Sequence, residues 1–115
     1  MKRELVQRAK AFALRIVRMY SAVPHSRPSE VMAYQALRSG TSVGAHCREA
    51  FRSRSTAEAI SKLEVALQEL DETAFWLELL IEAEIVPRKR LQQLLREIDE
   101  LTAIFVTSVR TMKRR

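Results

Sequence analysis

Apolar residues return at alternating steps of four and three through long stretches of this chain. Only a helix lying edge-on to a shared core makes use of that rhythm. The first stretch carries Leu5, Ala9, Phe12, Ile16 and Met19. A third carries Ile60, Leu63, Leu67, Leu70, Ala74, Leu77 and Ile81, and a fourth Leu91, Leu94, Ile98, Leu101, Phe105, Ser108 and Met112, widened by Leu95 and Val109. Each spacing lays a continuous apolar edge along its helix, as bundle packing at small crossing angles requires. Fully burying one large side chain of such a seam is worth about 1.5–3 kcal/mol.

The three prolines fall between the periodic segments and punctuate them. Pro24 and Pro28 bracket a polar loop in which His25 reads as solvated, and Pro87 suits a first helical position, where its missing N–H has no intrahelical partner. Ser29 is expected to cap the second helix, and Ser55 with Glu58 three residues on reads as a capping box for the third. These signals predict four helices, over about 3–22, 30–52, 56–84 and 87–112. At 115 residues the chain reads as one domain, 1–115, with short connections and consecutive helices antiparallel. The expected architecture is therefore an all-α, antiparallel up-down-up-down four-helix bundle.

Both glycines, Gly40 and Gly44, lie one turn apart inside the second predicted helix, beside Ala33, Ala36 and Ala45. A glycine in a helix interior costs about 1 kcal/mol relative to alanine, so the pair points to a helix face that another backbone approaches closely. It is a packing signal, not a phosphate loop.

The formal net charge is +6 and is unevenly distributed. Residues 56 to 86 hold eight carboxylates against a single cation, Lys62, while the other three segments are basic. Such a division helps neighbouring helices choose partners and leaves a positive surface that draws polyanions. Three groups of cations are candidates for nucleic-acid contact. Arg8, Arg15 and Arg18 line up on the first helix, Arg48, Arg52 and Arg54 gather near the end of the second, and Arg88, Lys89 and Arg90 open the fourth, which closes with Arg110, Lys113, Arg114 and Arg115. Aromatic residues make up only 6% of the chain and do not interleave with these cations, so any binding is expected to be phosphate-dominated and steeply salt-dependent. An equally open reading makes the charge incidental to solubility.

Gln35, Arg38, Ser42, His46 and Glu49 fall on one stripe of the second helix. They form either a polar network that fixes how this helix meets its neighbours or, with the nearby arginines, a contact surface for phosphate or a protein. Phe75, Trp76 and Leu79 lie away from the third seam, on the side that ought to face water, which marks a subunit interface. Catalytic signals are thin. His46 and Cys47 are sequence neighbours and so point to different sides of a helix, no glycine-rich phosphate loop occurs, and neither histidine has the glutamate three residues before it that helical di-metal sites use. The reading is a protein with no enzymatic activity, no cofactor and no metal. No apolar run approaches a membrane span, and the lone cysteine fits a reducing compartment, so a cytoplasmic location is expected.

The segment Ser39-Gly40-Thr41-Ser42-Val43-Gly44-Ala45, followed by Arg48-Glu49-Ala50 and then by Asp71-Glu72-Thr73 and Trp76-Leu77-Glu78-Leu79-Leu80, resembles the four-helix-bundle proteins encoded by intervening sequences of bacterial large-subunit ribosomal RNA genes. That family is similar in turn to the accessory variability determinant proteins of diversity-generating retroelements. The resemblance covers the chain from about Phe12 to Val109. It implies a homopentameric ring of bundles without catalysis, partnered by RNA or DNA and by a reverse transcriptase. The chain departs from the family pattern at His46, where asparagine is usual, and at Cys47, where a larger residue is common.

Overall fold

Four helices account for nearly all of the chain: α1 (Lys2–Ala22), α2 (Arg27–Ala50), α3 (Thr56–Glu82) and α4 (Arg88–Lys113). The structure is a computed structural model that describes every residue except Met1 and His25. The expectation that His25 is solvated therefore lies outside the described residues. The helices form a bundle of 47 × 20 × 19 Å.

The second helix begins earlier than expected, because Ser29 is not its cap. Ser26 occupies that position, its hydroxyl accepting from the Ser29 N–H at 3.3 Å while its own N–H donates to the Ser29 hydroxyl at 3.0 Å. Pro28, with φ already fixed near the helical value, is thereby part of the first turn rather than of the loop. Pro87 shows the opposite shift. Its φ of −66° suits a helix, but its ψ of 142° is extended, so it stands as the N-cap and α4 starts one residue later. Ser55 caps α3, accepting from the Glu58 N–H at 3.1 Å, and this side-chain half is the part of the expected capping box that the structure shows.

The first seam is buried as read, from Leu5 to Met19. In α4 the buried row is the expected one except that Val109 takes the place assigned to Ser108. The third seam is rotated. Ala59, Leu63, Ala66, Leu70, Thr73, Leu77 and Leu80 are buried, whereas Ile60, Leu67, Ala74 and Ile81 are half-buried along the edge of the core. A reading weighted by side-chain size chooses Ile60 and Leu67. Close packing instead chooses their smaller neighbours Ala59, Ala66 and Thr73, which let two helices approach.

The close approach predicted from the glycines is made by α1. A Cβ on Gly40 would lie 2.8 Å from Cγ1 of Ile16, and one on Gly44 would lie 3.3 Å from the carbonyl oxygen of Ala9. Each helix packs on the next in sequence; α2 and α3 share the most extensive contact, and α1 meets α4 least. At the end of α3 the chain turns through Glu84, whose φ of 60° is left-handed. The Ile85 N–H bonds the Leu80 carbonyl at 3.0 Å and the Glu84 N–H bonds that of Ile81 at 2.9 Å, the paired pattern of a Schellman motif.

Candidate functional site

The polar stripe of α2 faces α3, and carboxylates of α3 meet it. His46 Nδ1 stands 2.7 Å from Glu69 Oε1 and 3.1 Å from the Ser42 carbonyl, so with two acceptors before it this nitrogen carries the proton. Arg38 pairs with Glu72 and also donates from Nε to Gln35 at 3.0 Å. Glu72 accepts in addition from Trp76 Nε1 at 3.0 Å. At the far end Lys62 reaches Glu49 at 2.9 Å, which lowers the carboxyl pKa and raises that of the ammonium. Beneath this ladder Ser39 and Thr73, both fully buried, share a hydroxyl contact of 2.7 Å, and Thr73 donates onward to the Glu69 carbonyl at 2.7 Å. Gln35, Arg38, His46 and Glu49 thus belong to an interhelical network, while the Ser42 hydroxyl donates to the Arg38 carbonyl of its own helix. Their partners on α3, Glu69 and Glu72, were visible in the sequence only as part of its acidic excess.

The candidate cations divide sharply. Arg8 is held on α4 by Glu97, at 2.9 and 2.7 Å, and by Glu100 at 2.9 Å. Those bonds raise the already high pKa of its guanidinium. Arg15 and Arg18 follow on the α4-facing side of α1 and, among the described residues, meet no carboxylate. With Lys89 and Arg90 they line a cavity of about 620 Å³ between the end of α1 and the start of α4. The floor is apolar, formed by Met19, Val23, Ile85 and Leu94 among others. The first turn of α4 holds no acidic residue, and Pro87 provides no side-chain cap, so the positive end of the helix adds to the cations around it. Sequence reasoning named Arg88 to Arg90 as a basic group but did not join it to Arg15 and Arg18. The signal lay in the packing of segments distant in sequence, since the cavity joins the end of α1 to the start of α4. Arg48, Arg52 and Arg54 are exposed around the α2–α3 connection, apart from that cavity.

Phe75 is 52% exposed and stacks edge-on against Trp76, ring centroids 5.0 Å apart. Trp76 and Leu79 are half-buried, Trp76 packing against the core. On α2, Val31 and Tyr34 are also exposed, at 48% and 54%. Tyr34 stands one turn beyond Arg38 and Trp76 one turn beyond Glu72, so both helices carry apolar surface on the same side of their ion pair. Val31 and Tyr34 escaped the sequence reading because they lie in the unbroken apolar run Val31-Met32-Ala33-Tyr34, where no spacing separates an outer face from the core.

A second groove, of about 550 Å³, opens between α1 and α4 at the opposite end, lined by Leu5, Phe51, Ile104 and Met112 among others. Cys47 is buried within the core, which pushes its thiol pKa up to about 12 and leaves it protonated and unreactive at neutral pH. Among the described residues no group of three or more His, Cys, Asp or Glu could hold a metal ion, and no helix is long and apolar enough to cross a membrane.

Comparison with protein families matches residues 1–107 to the one described as 23S rRNA-intervening sequence protein. Among solved structures, the chain is similar to a crystal structure from Bacteroides thetaiotaomicron VPI-5482, described as a protein with unknown function from the S23 ribosomal protein family. The two are 37% identical, with a TM-score of 0.89, over 96% of this chain and 99% of that one. No match was found among curated proteins.

Proposed function

The chain belongs to the 23S rRNA-intervening sequence protein family, and from that premise we propose that it is a non-catalytic, self-associating scaffold whose basic surface binds RNA or DNA through phosphate. One observation carries the reading. Carboxylates neutralise Arg8, Arg38, Lys62 and Lys113, whereas Arg15, Arg18, Arg48, Arg52 and Arg54 make no ion pair among the described residues. These unpaired arginines contribute to the surplus of cations over carboxylates that gives the net charge of +6. Such a surface attracts polyanions at long range and gains free energy by releasing their counterions.

In this reading the helices run antiparallel, up-down-up-down, supported by the opposite numerical order of bonded residues along α2 and α3, from Glu49 with Lys62 to Arg38 with Glu72. Copies associate through Phe75, Trp76 and Leu79, extended by Val31 and Tyr34. Five copies closing into a ring in the cytoplasm follow from the resemblance to accessory variability determinant proteins. The exposed aromatic surface also favours a second reading, a module that docks another protein such as a reverse transcriptase, with its charge incidental.

Titrating the protein with unrelated duplex and single-stranded nucleic acid across a salt series separates the two. The scaffold reading expects binding at low salt that weakens steeply as salt rises, with little dependence on sequence. Absence of binding at low salt overturns it.

A further inference from the structure

The α4-facing side of α1 presents two arginines seven residues apart, and α4 answers them differently. Opposite Arg8 it offers Glu97 and Glu100. Around Arg15 the polar lining residues of α4 are Lys89, Arg90 and Gln93, and Arg18 adds a further positive charge from α1. Among the described residues, none that lines that cavity is acidic. The same seam thus carries a salt-bridge solution midway along it and a cavity lined by four cations at one end. Like charges brought together in this way repel, at a cost that a bound anion removes.

We propose that this cavity binds a single nucleotide, its phosphate among Arg15, Arg18, Lys89 and Arg90 and its base on the apolar floor. Three features define the ligand. The cations require a strong anion, and arginines match phosphate oxygens in a two-pronged geometry. Met19, Val23, Ile85 and Leu94 require an apolar face on the same molecule, which inorganic phosphate lacks. A volume of about 620 Å³ lies within the range of small-molecule pockets. The left-handed turn at Glu84 contributes by placing Ile85 and Val86 against the floor just before α4 sets out. The inference deepens the nucleic-acid reading and rests on it for the choice of a nucleotide among phosphorylated ligands.

Calorimetric titration of the full chain with adenosine monophosphate, inorganic phosphate, adenosine and anionic phosphatidylglycerol vesicles tests it. Adenosine monophosphate is expected to bind more tightly than any of the other three. Arg18→Glu and Lys89→Glu are each expected to weaken it about tenfold or more, and Lys10→Glu, exposed on α1 outside the cavity, to leave it unchanged. If circular dichroism shows that a reversal disturbs the fold, Arg18→Gln and Lys89→Gln take its place, with a smaller loss expected. Equal affinity for phosphate and adenosine monophosphate, tighter binding to vesicles, or indifference to the substitutions overturns the proposal. Failure here is distinguishable from failure of the scaffold. If polymers bind and adenosine monophosphate does not, only this inference falls; if the nucleotide binds and polymers do not at low salt, only the scaffold does.

Discussion

Gly40 lies directly against Ile16, so that a Cβ added to the glycine would stand 2.8 Å from the Cγ1 of the isoleucine. Ile16 is fully buried, and the atoms in the way are its Cγ1, Cγ2 and Cβ rather than the far end of its side chain. Gly40→Ala gains about 1 kcal/mol of helix propensity but forces α1 and α2 apart, at a cost of about 1–3 kcal/mol for overpacking. A net loss of stability is expected in urea denaturation. Gly44→Ala, whose nearest neighbours would be at 3.3 and 3.4 Å, is expected to fall close to neutral. A Gly40→Ala protein more stable than the parent would show that the two helices do not pack this closely.

Glu84 adopts a left-handed backbone that glycine occupies at no steric cost. Glu84→Gly is expected to raise stability by roughly 0.5–1 kcal/mol, the relief of strain exceeding the extra entropy of the unfolded chain. Thermal unfolding gives the answer, and a lower midpoint would count against a left-handed turn.

The Cys47 thiol has its pKa raised from 9.0 to about 12 by burial. Because the folded value is the higher one, the unfolded chain loses its proton first as pH rises. The contribution of this group to stability is complete below about pH 9 and declines toward pH 12. The parent is expected to lose more stability over that window than Cys47→Ala, by at most about 1.4 kcal/mol per pH unit. At neutral pH a thiol reagent should modify the protein only after denaturation. Rapid labelling of the native protein would contradict the burial.

Ser39 and Thr73 donate and accept within one buried chain of hydroxyls and carbonyls. Removing either, as in Ser39→Ala or Thr73→Val, is expected to cost about 1 kcal/mol. The double variant should cost less than the two together, with a coupling of about 0.5 kcal/mol or more. Simple additivity would mean that the contact does not contribute.

Self-association through the exposed aromatic face predicts that Phe75→Glu shifts sedimentation toward a smaller particle without loss of helicity, since Phe75 is exposed and its replacement leaves the core intact. Unchanged mass in both proteins would remove this face as an interface.

Much of the fold was legible in the sequence because it depends on local signals: the apolar rhythm, the prolines, Ser55, and glycines that no exposed helix would keep. What escaped depends on pairing between distant segments. In the third seam Leu63, Leu70 and Leu77 were read correctly, but the positions between them were misplaced by one because the small residues Ala59, Ala66 and Thr73 acquire value only in close helix packing. The polar stripe was found as a set, but only the fold shows that Glu69 and Glu72 complete it. The cationic cavity needed both ends of the chain, and neither Arg15 nor Lys89 looks unusual within its own helix.

The contrast between the α2–α3 contact and the sparse meeting of α1 with α4 bears on how the molecule comes apart. Its densest seam joins the two middle helices, and its loosest joins the outer two, fastened midway by Arg8. Breathing motions therefore begin at the edge shared by the first and last helices, and amide protons of the central hairpin exchange last. The nucleotide cavity lies on the edge that opens most readily, which gives a ligand an entry route that requires no rearrangement of the core.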